Sequence, residues 1–221
     1  MPEYCFSSRV RFAPWIGTEY RRGVPPGRRL LIIGESHYSG QERDLAEDRR
    51  NRNLTRDVIC RQWNGETYSY FTKLSEAVSG KPCREGPVKQ VFWNTVAFYN
   101  FIQDIVSVGA RVAPTEEHRQ EALKVLPKII DRLEPNCVLA TGKRLWEGLP
   151  ESWLPGPKIR FEGQEWDTCE YHPSNANPLR ATYIHHPSGF GFGTGSRWSP
   201  LVKSFLDLPL LRRRADILCN H

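Results

Sequence analysis

Short apolar runs that stop abruptly at a glycine or a polar residue alternate along this chain with stretches of helical spacing. Leu30–Ile33 is the first such run and ends at Gly34. Four apolar residues closed by glycine predict a strand buried on both faces. Ahead of it, Gly23–Arg29, with Pro25, Pro26 and Gly27, reads as a loop. Residues 39–66 are polar and highly charged, which predicts a long loop or a short exposed helix, and loops of that length often carry function. Tyr70–Val78 has the spacing of a short amphipathic helix closed by Gly80. Gln90–Trp93 is a second apolar run, ending on Asn94, and the stretch after it through Val106 is read as helical. Thr115 is a helix N-cap, with Glu116 and Glu117 in the first turn. Ala122, Leu123, Val125, Leu126, Ile129, Ile130 and Leu133 continue that helix to Pro135, with a kink expected at Pro127.

A third strand is predicted at Cys137–Ala140, followed by Gly142 and a short helix with Leu145 and Trp146. Residues 158–171 suggest a strand or hairpin, and Ala181–Ile184 a further strand. Ser199 and Pro200 predict the N-cap and first position of a last helix, through about Leu208. Strands alternating with helices predict an α/β fold: a central, mostly parallel sheet between helical layers. In such sheets ligands bind beyond the carboxyl ends of the strands. Those ends carry Gly34–Tyr38, Asn94, Thr141-Gly142 and His185-His186-Pro187-Ser188.

Composition narrows the picture further. The chain has 221 residues, 39% of them hydrophobic, enough for one domain with a real core. Its six cysteines, at 5, 60, 83, 137, 169 and 219, form no C-x-x-C pair, which argues against a zinc ribbon or an iron–sulfur framework and for reduced thiols in the cytoplasm. No apolar run approaches the ~18 residues of a membrane span, and the N-terminus shows no signal-peptide core. A formal net charge of +6 suits a polyanion such as nucleic acid. Much of that charge is local, in Arg212–Arg214 and the Arg-rich stretch 43–61, and also reads as solvated faces.

Taken in order, "GESHY" after the first strand, "VFWNTV", "CVLATGKRLWEGL" and "YIHHPSGFGFG" resemble successive motifs of the uracil-DNA glycosylase superfamily. Together they cover residues 30 to about 200. The resemblance implies a three-layer sandwich around a mostly parallel sheet of about four strands, in one domain with a polar insert at 39–69. It implies a monomer that flips a base out of DNA and hydrolyses its N-glycosidic bond, with no metal or organic cofactor. An oxocarbenium-like sugar calls for a nearby carboxylate, and the departing base for a neutral hydrogen-bond donor.

Carried over by position, Asn94 reads the base, with Tyr38 and His37 beside it. His186 is the donor to the leaving base. Ser188, Gly189 and Arg197 meet the DNA backbone, and Phe190 fills the vacated stack. The family's catalytic Asp or Asn falls on Ser36, which carries no charge, so the neighbouring Glu35 is the carboxylate expected to act. His37 stands in place of the motif's usual proline. The family's base-stacking Phe is missing after the first motif, and Trp63, Tyr68 or Tyr70 are candidates to replace it. These departures motivate a modified base, such as one in viral DNA, rather than plain uracil. Phe190 and Phe192, in a Gly-rich loop, are hard to place in a core. His185 is expected to point away from its neighbour, and the second His-Pro-Ser, His172–Ser174, to be a plain loop.

Two rivals stand beside this reading. "LLIIGESHYSG" also resembles the first block of the SGNH hydrolases, with Ser36 as nucleophile and Asn94 as oxyanion donor. Phe92 then stands where that family has glycine, and its C-terminal D-x-x-H is missing. Alternatively, loss of the motif Asp fits a DNA-binding relative without catalysis.

Overall fold

The computed structural model describes residues 5–63, 68–109, 112–173 and 176–211. The elements run, in chain order, β1 (Trp15–Ile16), β2 (Leu30–Gly34), β3 (His37–Ser39), α1 (Leu45–Arg50), α2 (Leu54–Trp63), α3 (Ser69–Ser79), α4 (Gly86–Thr95), β4 (Ala97–Asn100), β5 (Ile105–Val108) and α5 (Glu116–Leu133). They continue with β6 (Cys137–Thr141), α6 (Lys143–Glu147), β7 (Leu154–Pro155), β8 (Ile159–Phe161), β9 (Gln164–Trp166), β10 (Thr168–Tyr171), β11 (Leu179–Ile184) and α7 (Gly195–Asp207). The fold is α/β.

Its main sheet has seven strands in the order β1-β4-β2-β6-β11-β10-β7. The central β4, β2, β6 and β11 are mutually parallel, while β1, β10 and β7 join antiparallel at the edges. The sheet is thus larger and more mixed than the four strands expected. The shortest edge strands have only two residues each, too little for the periodic signal that reveals a strand. β3 and β5 form a separate parallel pair, and β8 and β9 a small hairpin.

Every residue of the four central strands is buried, which requires cover on both faces. Full burial of each Leu or Ile of β2 stabilises by about 1.5–3 kcal/mol. Crossover helices supply the cover, and such crossovers are right-handed as a rule. The chain moves from β2 outward to β4, then back across β2 to β6, so α1–α4 and α5 fall on opposite faces. One apolar core cluster extends from Val10 to Leu206.

Three sequence expectations are corrected. Gln90–Trp93 is not a strand but part of α4, because its buried residues Lys89, Phe92 and Trp93 recur at helical spacing and Pro87 sits in its first turn. The stretch after Asn94 is not helical: Ala97–Asn100 enters the sheet, with Phe98 opposite Ile32 and Asn100 opposite Gly34. The last helix begins at Gly195, not Ser199, and carries Pro200 inside it. Gly195 lies directly on the backbone of α3, where a Cβ would stand 2.2 Å from the Lys73 carbonyl. The polar insert is also more ordered than a loop. It forms α1 and α2, and α2 buries Leu54, Thr55, Ile59 and Gln62.

Candidate functional site

The chain leaves β2 for β4 on one side, then crosses to β6 on the other, so the strand order reverses between β2 and β6. A crevice beyond the carboxyl ends of strands at such a switch point is where open α/β sheets bind ligands. Gly34 ends β2, Asn100 ends β4, Thr141 ends β6, and β11 runs into His185 and His186.

Gly34 is the floor of this crevice. A Cβ there would fall 2.2 Å from Oδ1 of Asn100, 2.8 Å from Cζ of Phe98 and 3.2 Å from the Tyr70 hydroxyl. The Asn100 residue is 7% exposed, and its carboxamide makes no hydrogen bond with the described residues. Tyr70, near the start of α3, reaches over the sheet. The Thr141 hydroxyl donates to the Ile33 carbonyl (2.9 Å), so the Tyr70 hydroxyl is the donor in its 2.7 Å bond to Thr141 Oγ1. Burial pushes the Tyr70 hydroxyl well above the usual phenol range. Its ring lies 5.2 Å from that of His186, tilted by 44°.

His186 is half-buried and packs over Gly142, where a Cβ would stand 3.6 Å away. Its Nδ1 accepts the Ser188 backbone N–H at 3.2 Å. An acceptor Nδ1 places the proton of the neutral ring on Nε2. Burial, the largest cause, holds the imidazole pKa below its ordinary value. The Glu35 charge opposes that shift, and the Arg144 charge adds to it. The ring is therefore a neutral Nε2–H donor.

Glu35 turns off the end of β2, and Arg144 in α6 grips it with a two-pronged ion pair: Nε donates to Oε1 at 2.6 Å, and Nη2 to Oε2. The pair raises the proton affinity of Arg144, the hydrogen bond being the largest cause. A cavity of about 10 Å³ beside it, lined by Phe101, Ile102, Pro114 and Arg119 among others, has room for about one water. A larger hollow, about 340 Å³, lies elsewhere, between Cys5–Val10 and α5, and gathers no comparable chemistry.

The expected site residues divide accordingly. Glu35, Tyr38 and His186 lie around the crevice, Tyr38 within electrostatic range of Arg144. Ser36 Oγ is buried with no hydrogen-bond partner among the described residues, none of which stands as a base against it. His37, expected beside the base, alternates inward on β3 instead. Its Nε2 lies 2.9 Å from Thr55 Oγ1, Phe12 packs edge-on against its ring, and burial lowers its pKa to about 3. Asn94 does not reach the crevice. It lies near the end of α4, three residues before the amino end of β4, and its backbone carbonyl accepts the Glu19 N–H at 2.7 Å. Asn100, at the carboxyl end of the same strand, occupies the position foreseen for Asn94.

Beyond β11, Ser188, Gly189 and Phe190 are exposed, and Phe190 completely so. Phe192 is core, stacked on Trp198 with ring centroids 5.4 Å apart. Arg197 is spent on the protein. It grips Glu162 through Nε and Nη2 (2.7 and 2.6 Å) and donates to the Gly191 carbonyl (3.0 Å), bracing the loop rather than presenting a free cation. His185 points away from His186, against Trp198 (4.8 Å). Of the aromatic candidates to replace that Phe, Tyr70 enters the crevice and Tyr68 is exposed; the side chain of Trp63, like Ser174 and Arg212–Arg214, lies outside what is described.

Sequence reasoning missed Asn100 and Arg144. The signal for Asn100 was present: Val96–Tyr99 is an apolar run ending on a polar residue, as Leu30–Ile33 ends on Gly34. Arg144 carried no signal beyond its place just after Gly142. The described cysteines are unpaired. Among the described residues no cluster of three or more His, Cys, Asp or Glu groups suits a metal ion, and no helix is long and apolar enough to cross a membrane. No protein-family model matches the chain, and no curated protein is similar to it.

Proposed function

We propose that the chain is a DNA glycosylase that hydrolyses the N-glycosidic bond of a flipped-out damaged or modified base. One observation carries the reading: a carboxylate, a carboxamide without a hydrogen bond to a described residue and a neutral imidazole donor, Glu35, Asn100 and His186, follow or close the carboxyl ends of β2, β4 and β11 at the switch point of the sheet. The parallel centre of the seven-stranded mixed sheet supports the resemblance to the uracil-DNA glycosylase superfamily. In this assignment Asn100, with its donor and acceptor, reads the base edge. His186 Nε2–H stabilises charge developing on the departing base, and Glu35 stabilises the sugar cation or orients water. Tyr70 walls the base, and exposed Phe190 fills the gap left in the stack.

A modified base, as in viral DNA, suits Tyr70 as a wall arriving from beyond the insert. The test is a panel of oligonucleotides carrying uracil, lesions and modified bases, followed by alkali cleavage at abasic sites. Product from at least one base supports the reading, and binding without product across the panel replaces it with a DNA-binding relative. The serine hydrolase alternative has no support in the surroundings of Ser36, and labelling of Ser36 by a phosphonate probe would revive it.

A further inference from the structure

We propose that the β8–β9 hairpin braces the loop after β11: Glu162 at its tip holds Arg197, and Arg197 keeps the turn that carries Phe190 in order before DNA arrives, which favours duplex DNA as the substrate. Both are positioning residues. The duplex preference rests on the glycosylase reading; the brace does not.

Glu162 and Gly163 join β8 to β9, and both are left-handed, at φ 48° and 78°. A two-residue turn of this kind favours Asn-Gly or Asp-Gly, and the left-handed backbone is unfavourable for a glutamate. What the glutamate supplies is a carboxylate with the reach to meet α7. Arg197 Nε donates to its Oε1 at 2.7 Å and Nη2 to its Oε2 at 2.6 Å, leaving Nη1 to donate to the Gly191 carbonyl at 3.0 Å. The guanidinium also lies 5.6 Å from the centre of the Trp198 ring. A single exposed ion pair contributes little. This one is two-pronged and has two further contacts, so it fixes the plane of the guanidinium, which a lysine would not do. The hairpin itself is anchored. The Trp166 indole N–H donates to the Tyr183 carbonyl of β11 at 2.7 Å, and the Phe161 ring lies 5.3 Å from that of Trp198.

Two turns in succession bring the loop round. The Gly189 N–H donates to the His186 carbonyl at 2.7 Å, and the Phe192 N–H to the Gly189 carbonyl at 3.3 Å. The second bond closes a turn with Phe190 and Gly191 at its centre, and Gly191, at φ 81°, meets the left-handed requirement of a type II turn at that place. Phe190 is thus the corner residue, fully exposed. The far side of the corner is held twice, by Arg197 on the Gly191 carbonyl and by the Trp198 indole on the Phe192 carbonyl at 2.9 Å. A loop ordered in advance does not lose that freedom on binding. An aromatic ring at such a corner benefits only where a vacated stack receives it. A duplex leaves that gap when a base is flipped out, and a single strand does not.

The test is Glu162→Asn in the full chain. Asparagine suits the turn but is too short to hold the guanidinium, so the urea midpoint should stay or rise. Release from duplex should nevertheless fall about 10-fold, the equivalent of losing one residue's backbone order, while release from single strands holds. Exchange of the Phe192 amide, followed by NMR, should quicken by a similar factor. A lower urea midpoint with equal losses on both substrates would make the hairpin merely structural and overturn the proposal, as would unchanged Phe192 exchange. Arg197→Gln should repeat the pattern and leave the slope of log affinity against log salt unaltered. A slope shallower by about 0.9, the share of one phosphate contact, would make Arg197 a direct DNA ligand and overturn its role as a brace. The two substitutions combined should cost no more than either alone, because the carboxylate acts through the guanidinium. If the wild type releases no base from any oligonucleotide, the glycosylase reading fails, and Phe192 exchange still decides whether the hairpin orders the loop.

Discussion

Replacing Asn100 by alanine removes a carboxamide that ends β4, stands over Gly34 and bonds to no described residue. The folded protein forfeits no hydrogen bond to a described residue, and the carboxamide lost belongs to a residue 7% exposed. The change in stability should therefore stay below about 1 kcal/mol in urea unfolding. A base poised for departure would, by contrast, lose a donor and acceptor arranged in advance. Deleting one such group from a site that stabilises developing charge costs on the order of 100- to 1000-fold, or about 2.7–4 kcal/mol. The assay is single-turnover release from the best oligonucleotide of the panel, with DNA affinity measured in parallel. Asn94→Ala is the internal control. Asn94 sits at the amino end of β4 with only its backbone engaged in a described hydrogen bond, so release should stay within about twofold, as for surface changes away from a site. Undiminished release in Asn100→Ala, or lost release in Asn94→Ala, would refute the placement of the base over Gly34.

The other expectations concern neighbouring groups. Glu35→Gln should slow release by roughly 100- to 10,000-fold with DNA binding retained, and a fully active variant would remove Glu35 from the chemistry. Phe190→Ala should leave stability within about 0.5 kcal/mol, since the ring is fully exposed, yet weaken release from duplex more than from single strands; equal effects on both would argue against stack filling. Gly34→Ala forces a Cβ to within 2.2 Å of Asn100 Oδ1 and should destabilise by about 1–3 kcal/mol, read as a lower urea midpoint. His37 is neutral in the fold, with its pKa lowered by burial from 6.5 to about 3, so the unfolded chain binds the extra proton between those values. Stability is thus lost as pH falls from 6.5 toward 3, by at most about 1.4 kcal/mol per pH unit from this group, and His37→Gln should flatten that decline.

The parts of the fold that were readable in advance share one property: burial on both faces, or a cap. Leu30–Ile33 and Cys137–Ala140 are unbroken apolar runs and Ala181–Ile184 a nearly continuous one, as strands covered on both faces of a sheet are. Thr115 announced α5 because a side-chain oxygen must satisfy the free N–H groups of its first turn. β7 and the β3–β5 pair were not readable. They are short, half-exposed or polar, and tertiary pairing supplies their order.

In the segment from 90 to 100 both the match of letters and the reading of Gln90–Trp93 as a strand misled, although the helical spacing was there to be counted. "VFWNTV" offers the asparagine of a familiar motif, but Lys89, Phe92 and Trp93 recur at the spacing of a helix face, and a strand sends neighbouring side chains to opposite sides. The next apolar run, Val96–Tyr99, repeats the pattern of Leu30–Ile33 and ends on an asparagine of its own. Parallel strands in register carry their ends to one edge of the sheet, so the residue that closes the strand is the one delivered to the crevice, and here that residue is Asn100, paired with Gly34. The same reasoning separates Phe190 from Phe192, which look alike in a Gly-rich loop. Phe192 stacks under Trp198, whose indole N–H donates to the Phe192 carbonyl at 2.9 Å, and Arg197 pins the Gly191 carbonyl beside it. The loop is fixed at that end, and Phe190, four residues after His186, is left fully exposed.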